Sequence, residues 1–356
     1  MKMIPRFAGR LLEWYRLHQR DLPWRKTRDP YRIWLSEVIL QQTRVAQGLA
    51  YYERFVEHYP TVHHLAKAPI EEVLRLWQGL GYYSRARNLH AAARTISIQW
   101  AGRFPASYDE LRRLKGVGDY TAAAIASFAF DEPVAVVDGN VFRVLARLYG
   151  LYDDISRTKT KHKFKALSEA HMPPQEAAAY NQAMMEFGAV QCTPQKPLCM
   201  TCPFRDDCYA AQYGKQQELP VKSKKTTKRK RYLSYRFFYR NGKLWMQERK
   251  QKDIWKGLYE PARIEAATAR EMEQLLQNEA PAALWQQAQA IEQIRHLLTH
   301  QELFIDIGML HLPPDAALPP FLKDGGDWFT PEECDALPKP IVIAQYFERH
   351  RHLLHE

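Results

Sequence analysis

Cysteine is scarce in this chain: five residues in 356, four of them confined to positions 192–208 (Cys192, Cys199, Cys202, Cys208), with Cys334 alone. That distribution excludes a dispersed disulfide framework and reads as metal ligation in a reducing compartment. Long apolar runs are missing as well. The longest, Thr121 to Phe130, is far short of a bilayer span. The first twenty residues hold Arg6, Arg10, Glu13, Arg16 and Arg20 without an uninterrupted apolar stretch, so no secretory leader is expected. A soluble cytoplasmic protein with no membrane partner is the expectation. Acids are absent from residues 221–231, which carry a net charge of +7, against +8 for residues 1–220 and −4 for 232–356. The basic surplus therefore sits in the first part and the connector, which suits a polyanionic partner.

What is present is enough for a sizeable core: 46% of residues are hydrophobic, and the length suggests two domains. Residues 1–213 read as all-α. Helix-like runs are expected from Pro30 through Ile39 and over 71–78, 86–100, 121–129 and 175–187, with no long alternating pattern competing. Residues 214–231 are nearly devoid of apolar side chains and read as a basic linker, a solvated spacer. Beyond it, residues 232–356 read as α+β. Tyr232–Arg240 and Leu244–Glu248 flank Asn241-Gly242 as a hairpin, 265–278 and 282–290 look helical, and Leu303–Leu310 looks like a strand.

Four constellations carry chemistry. In Leu114-Lys-Gly-Val-Gly-Asp-Tyr-Thr121, Gly116 and Gly118 allow a turn whose N–H groups converge at a helix N-terminus, a nest for a DNA phosphate. The competing reading is a helix connection that needs glycine only for close packing. In Val136-Val-Asp-Gly-Asn-Val-Phe-Arg143, Asp138 stands at an element terminus, as a helix cap or as a carboxylate facing the same groove as the hairpin. In Trp34-Leu-Ser-Glu-Val-Ile-Leu-Gln-Gln-Thr43, Glu37 lies among apolar residues, where a carboxyl can keep its proton at neutral pH unless it snorkels to solvent. Gln41 and Gln42 suit base edges or a duplex gap. The Cys192-x6-Cys-x2-Cys-x5-Cys208 loop can hold Zn²⁺ or a 4Fe–4S cluster; its first spacing lacks the paired arms of structural zinc and favours the cluster.

In this order the four motifs resemble the endonuclease III branch of the helix-hairpin-helix glycosylases, over residues 1–213. Within that branch, Leu22-Pro-Trp-Arg25, the segment Ser36–Thr43 and Gln78-Gly-Leu-Gly-Tyr-Tyr-Ser-Arg85 resemble the MutY-type adenine glycosylases. The resemblance implies a multidomain protein: an all-α helix-hairpin-helix glycosylase domain (1–213) closed by a 4Fe–4S loop (192–208), then a Nudix-like α+β domain (232–356) recognising 8-oxoguanine. It implies a base-excision enzyme that flips and hydrolyses adenine out of double-stranded DNA opposite 8-oxoguanine or guanine, a monomer of the bacterial cytoplasm associated with the nucleoid through DNA.

The resemblance also implies residue roles. Glu37 would protonate adenine at N7 and Asp138 would stabilise the oxocarbenium-like sugar, with Tyr120 and Asn140 organising water and carboxylate. Arg25 and Gln182 would hold the adenine pocket. Leu40, Gln42 and Tyr82 would fill the vacated duplex, with Gln41, Thr43, Lys115, Gly116 and Gly118 also on DNA and His300 toward the lesion. Tyr120 stands where bifunctional relatives carry a Schiff-base lysine, so hydrolysis without strand cutting is expected. In His296-Leu-Leu-Thr-His300, Leu298 and Thr299 depart from the family's Phe and Ser. Gln274, Leu275, Ala262 and Lys256 replace residues a Nudix hydrolase needs, so the second domain is expected to read rather than cut. Asp119, and Asp206-Asp207 in the cluster loop, are expected to weaken DNA affinity slightly. Two alternatives remain open at this point: another mismatch specificity on the same scaffold, and a catalytically silent DNA-binding homologue.

Overall fold

The structure, a computed structural model, describes residues 4–223, 228–278, 282–315 and 325–355. The chain divides into two compact units, Met1–Ala66 with Ala91–Lys224, and Lys67–His90 with Lys225–Glu356. The helical part runs α1 (Phe7–His18), α2 (Pro30–Leu40), α3 (Val45–His58), α4 (Val62–Lys67), α5 (Ile70–Leu76), α6 (Ser84–Gln99), α7 (Tyr108–Leu111), α8 (Asp119–Phe130), α9 (Gly139–Tyr149), α10 (Thr158–His171), α11 (Ala177–Glu186) and α12 (Tyr209–Tyr213). Among the described residues no helix is long and apolar enough to cross a membrane.

Local chemistry fixes the helices that matter to the site. Pro30 occupies the first turn of α2, and the Asp29 side chain accepts from the Tyr31 N–H at 2.9 Å, a capped start that leaves the following residues free to be apolar. Every residue of α2 from Ile33 to Ile39 is buried, so this is an interior helix rather than a one-faced one. It packs against α8, buried from Thr121 to Phe128. The amphipathic α9 ends at Gly150, whose φ of +63° and approach to the Tyr209 ring (2.6 Å from a would-be Cβ) both demand glycine. Phe7, Leu11, Trp14, Leu145, Phe164, Tyr180 and Phe187 form a core beneath these elements.

The second unit is built on a sheet with strand order β3-β2-β1-β6-β5, in which β4 also pairs β1 and β7 pairs β2. The strands are β1 (Arg229–Arg240), β2 (Lys243–Glu248), β3 (Tyr259–Glu260), β4 (Ala262–Ala266), β5 (Gln289–Leu297), β6 (Gln301–His311) and β7 (Asp327–Phe329). The hairpin at Asn241-Gly242 forms with both residues at positive φ (49° and 75°), pairing Arg240 with Lys243. The strand expected at Leu303–Leu310 is β6, parallel to β1 from Arg229↔Gln301 onward. Two expectations are corrected. Residues 265 and 266 finish strand β4 before the helix Ala269–Asn278, and a helix stops at Trp285, giving way to β5. β5 is an edge strand with alternating half-exposed positions and carries Gln, Glu, Arg and His, so its strand character comes from pairing with β6 rather than from propensity.

The segment between the domains is only partly a spacer. Leu219 is buried in the first unit's core and the Val221 carbonyl accepts from the Ile155 N–H at 3.0 Å, while Arg229–Arg231 already belong to β1. Residues 224–227 of the expected linker lie outside the described residues. In the second unit, Arg231 and Arg249 are buried and paired with Asp253, Glu265 and Glu260, with Arg249 to Glu260 at 2.8 Å. The 67–90 segment joins this unit through Lys339, whose N–H donates to Gln78 Oε1 at 3.1 Å, and through a hydrogen bond between the Tyr82 and Thr299 hydroxyls.

Candidate functional site

Glu37, on the interior helix α2, is 6% exposed, so snorkelling to solvent is ruled out. The Tyr120 hydroxyl, from the first turn of α8, donates to Glu37 Oε2 at 2.8 Å. Burial is the chief influence on the carboxyl and Asp138 adds to it, while the Tyr120 hydrogen bond and the Arg25 charge oppose; the net result is a pKa raised to about 7. Tyr120 itself is pushed well above the ordinary tyrosine range, chiefly by burial, so it stays a donor.

Asp138 is a helix cap and a cleft residue at once. Its Oδ1 accepts from the N–H groups of Asn140 (2.8 Å) and Val141 (2.9 Å), and its Oδ2 from the Asn140 amide at 2.7 Å. Burial raises its pKa by more than these donors and the Arg143 charge lower it. Behind it, Arg143 donates to Asn140 Oδ1 (2.7 Å) and to the carbonyls of Gly188 (2.6 Å) and Cys192 (2.7 Å). Gly188 lies in a π-helical turn, Phe187–Gln191, and a Cβ there would fall 2.5 Å from Asn140 Cβ. Sequence reasoning missed this support. Its one signal was Arg143, an arginine within the buried stretch of α9.

Both carboxylates open into one cleft of about 720 Å³, shared with Leu40, Gln41, Gln42, Gly116, Gly118 and Tyr120. Gln41 donates to Thr121 Oγ1 at 3.0 Å, and Gln42 turns the chain with φ of 56°. Leu40 lies over Gly48, where a Cβ would come 2.6 Å from Leu40 Cδ2. Gly116 has φ of +80°, but Gly118 is extended (φ −92°, ψ −178°) and a Cβ there meets nothing within 4 Å. Close packing therefore does not explain the second glycine; open space beside it remains. Asp119 is tied to Arg112 at 2.7 Å rather than facing a phosphate alone, and Asp207 is likewise tied to Arg10 at 2.6 Å. Also lining the cleft are Tyr108, Lys161, His162 and Lys165, none of which the sequence reading singled out.

Arg25 and Gln182 are not cleft-lining. Arg25 Nη2 donates to the buried Glu186 Oε2 at 2.7 Å, and Gln182 Oε1 accepts from the Tyr15 hydroxyl at 2.9 Å. Burial would raise Glu186, but Arg20 and Arg25 together bring it down to about 2. Thr43 caps the turn after α2, donating to the Gln41 carbonyl at 3.4 Å, and Lys115 is exposed on the hairpin. Tyr82 and His300 belong to the second unit, where the His300 carbonyl accepts from the Arg229 N–H at 3.0 Å.

Cys192, Cys199, Cys202 and Cys208 line a single small cavity together with Val144, Leu148, Phe187 and Arg147. Arg147 Nη1 lies 3.4 Å from Cys192 Sγ and the Gln216 amide 3.9 Å from Cys199 Sγ, donors that suit anionic sulfur. Burial pushes the Cys202 thiol up to about 12, so free thiolates would not persist there without a metal to hold them. Four soft donors converging on an apolar cavity fit an iron–sulfur group.

Comparison with known proteins bears on these features. Residues 35–170 match the HhH-GPD superfamily of base excision DNA repair proteins, residues 192–208 the iron-sulfur binding domain of endonuclease III, and residues 236–349 a NUDIX domain. A curated relative from Buchnera aphidicola of Schizaphis graminum, an adenine DNA glycosylase, is 33% identical over 254 residues, covering 71% of this chain and 73% of that protein. The chain belongs to the adenine DNA glycosylase family. The human adenine DNA glycosylase is 44% identical over 225 residues, and the match spans 61% of this chain but only 41% of the human protein. Among solved structures, a thermostable thymine-DNA glycosylase superposes with a TM-score of 0.54 at 30% identity, over 58% of this chain and 95% of that one. An endonuclease III trapped as a covalent intermediate with DNA gives 0.52 at 26% identity, over 60% and 99%. The family is thus shared with proteins named for adenine, and the helical scaffold also with a glycosylase named for thymine and with endonuclease III.

Proposed function

We propose that this adenine DNA glycosylase family member removes adenine mispaired with 8-oxoguanine or guanine from duplex DNA by hydrolysing the N-glycosidic bond. The observation that carries the reading is the buried Glu37, hydrogen-bonded to Tyr120 at 2.8 Å and raised to a pKa of about 7, in one cleft with Asp138. A carboxyl with that pKa is half protonated at neutral pH and can give its proton to adenine N7, turning a poor leaving group into a better one. A positioned acid of this kind contributes roughly 10²–10⁴-fold.

As the glycosidic bond breaks, positive charge develops on the sugar, and Asp138 stabilises it electrostatically. Its three donors keep the carboxylate fixed rather than letting it swing to meet the charge. Asn140 and Tyr120 orient water and carboxylate, while Arg25 and Gln182, held by Glu186 and Tyr15, form a supporting layer around the base. Leu40, Gln41, Gln42 and Thr43 with the Lys115–Gly118 hairpin hold the opened duplex, Tyr82 serves to fill the vacated duplex, and His300 is turned to the opposite base. Position 120 offers no amine for a Schiff base, which supports a monofunctional reaction. In the second unit Asp253, Glu260 and Glu265 are engaged by Arg231 and Arg249, which supports a reader rather than a metal-dependent hydrolase.

Cys192, Cys199, Cys202 and Cys208 would hold a 4Fe–4S cluster, which cross-links the loop when bound. The reading is tested by incubating the protein with a duplex carrying adenine opposite 8-oxoguanine, followed by alkali; cleavage at the adenine is expected. Preferential release of thymine from G·T pairs would transfer the assignment to the other branch of the scaffold.

A further inference from the structure

The cleft has a wall that the reaction as described does not use. α10 contributes Lys161, His162 and Lys165 to it, in the same lining as the hairpin glycines and the two carboxyl groups. Lys161 and Lys165 are one helical turn apart, about 6 Å along the axis, and so present a paired cationic edge. Their neighbour Lys163 is committed elsewhere, to Asp153 at 2.6 Å. Among the described residues Lys161 has no carboxylate within ion-pair distance. Lys165 is held half-buried, its ammonium 4.4 Å from the centre of the Tyr108 ring, with Glu169 at 3.8 Å.

Tyr108 joins that edge to the hairpin. Its hydroxyl donates to Asp119 Oδ1 at 3.3 Å, and the same oxygen is ion-paired with Arg112 Nε at 2.7 Å. The one acid of the hairpin mouth is thus matched by Arg112, and the rim from Arg112 through Lys165 to Lys161 carries a surplus of positive charge. The two carboxyl groups of the cleft, Glu37 and Asp138, supply no cation to it. An anion is attracted to the rim and finds no counter-charge at the two carboxyls. That gradient suits a polymer that inserts a neutral base and leaves its phosphates outside.

We propose that the Lys161–Lys165 edge of α10 is a second phosphate-binding rim, continuing the hairpin's contact along the DNA backbone. The proposal rests on the glycosylase reading for the orientation of the strand, but its test does not. Each lysine–phosphate contact releases condensed counterions, so losing one makes the dependence of log K on log salt shallower by about 0.9 on duplex DNA. Binding of an undamaged duplex and of an adenine·8-oxoguanine duplex is measured across a salt series for the wild type, the double variant Lys161→Ala/Lys165→Ala, and Lys163→Ala. Lys161 is exposed and Lys165 half-buried against Tyr108, so the folding of the double variant is checked by its thermal transition.

The expected result is a slope shallower by about 1.8 and weaker binding in the double variant, on both duplexes, with the Lys163→Ala slope unchanged. An unchanged slope in a folded double variant, or an equal loss in Lys163→Ala, overturns the proposal. Absence of adenine release by the wild type would instead strike the glycosylase reading, and the undamaged-duplex slope would still decide the role of α10.

Discussion

The Tyr120 hydroxyl donates to Glu37 Oε2 at 2.8 Å, and this bond works against burial on the same carboxyl. Burial raises the pKa, the hydrogen bond to the ionised form lowers it, and the balance lies at about 7. A general acid must be protonated, so the single-turnover rate falls as pH rises through that value. Tyr120→Phe removes the lowering contribution, and the alkaline limb of the pH–rate profile moves to higher pH. A limb that stays in place, or moves down, would mean that Glu37 is not the group titrating.

The same shift affects stability. Glu37 has a higher pKa folded than its ordinary 4.5, so the folded chain binds the extra proton between those values. The contribution is fully present below the ordinary carboxyl value and is lost as pH rises through about 7, on the order of 3 kcal/mol. Denaturant unfolding of wild type and Glu37→Gln on both sides of that window checks it. The wild type should weaken relative to the Gln variant toward alkaline pH.

Leu40 and Gly48 form a second testable pair. A methyl group at 48 would meet Leu40 Cδ2 at 2.6 Å, so Gly48→Ala must displace a side chain that lines the cleft. Overpacking of this kind costs about 1–3 kcal/mol. In Leu40→Ala the space is free, and adding Gly48→Ala should then cost little or stabilise, since alanine suits a helix better than glycine. Additive costs in the double variant would show that the two residues do not interact.

At Gly188 the neighbour is harder to move. A Cβ there would sit 2.9 Å from the Asn140 carbonyl oxygen as well as against its Cβ. Gly188→Ala should shift Asn140 and with it the donors on Asp138, lowering the single-turnover rate more than duplex affinity. Equal losses in both would point to general misfolding instead.

The cysteine loop predicts roughly four iron and four sulfide per chain, with a yellow-brown colour. Stoichiometric zinc without sulfide would refute the cluster.

How far the sequence revealed all this depends on whether a feature is local. Capping by Asp138, the Asn241-Gly242 hairpin and the cysteine spacing are set by near neighbours, and each is visible as a motif. Glu37 was ambiguous because its apolar surroundings fit both burial and snorkelling; only the packing of α2 on all sides decides. Asp119 reads as a liability until Arg112 is seen beside it, and Arg25 meets Glu186 across 161 residues of chain. β5 was hidden because an edge strand tolerates the polar residues that blur its alternation. The 67–90 segment reads as part of a continuous helical domain, and only its contacts place it with the second unit.

The central claim is that Glu37 delivers the proton that releases adenine. Its most direct test is the single-turnover rate of adenine release from a duplex carrying adenine opposite 8-oxoguanine, for wild type and Glu37→Gln, with alkali added only after the reaction. Wild type should produce an alkali-labile site at the adenine with no cleavage before alkali. Glu37→Gln should bind the same duplex and release adenine roughly 10²–10⁴-fold more slowly. Release at the wild-type rate by Glu37→Gln would contradict the account.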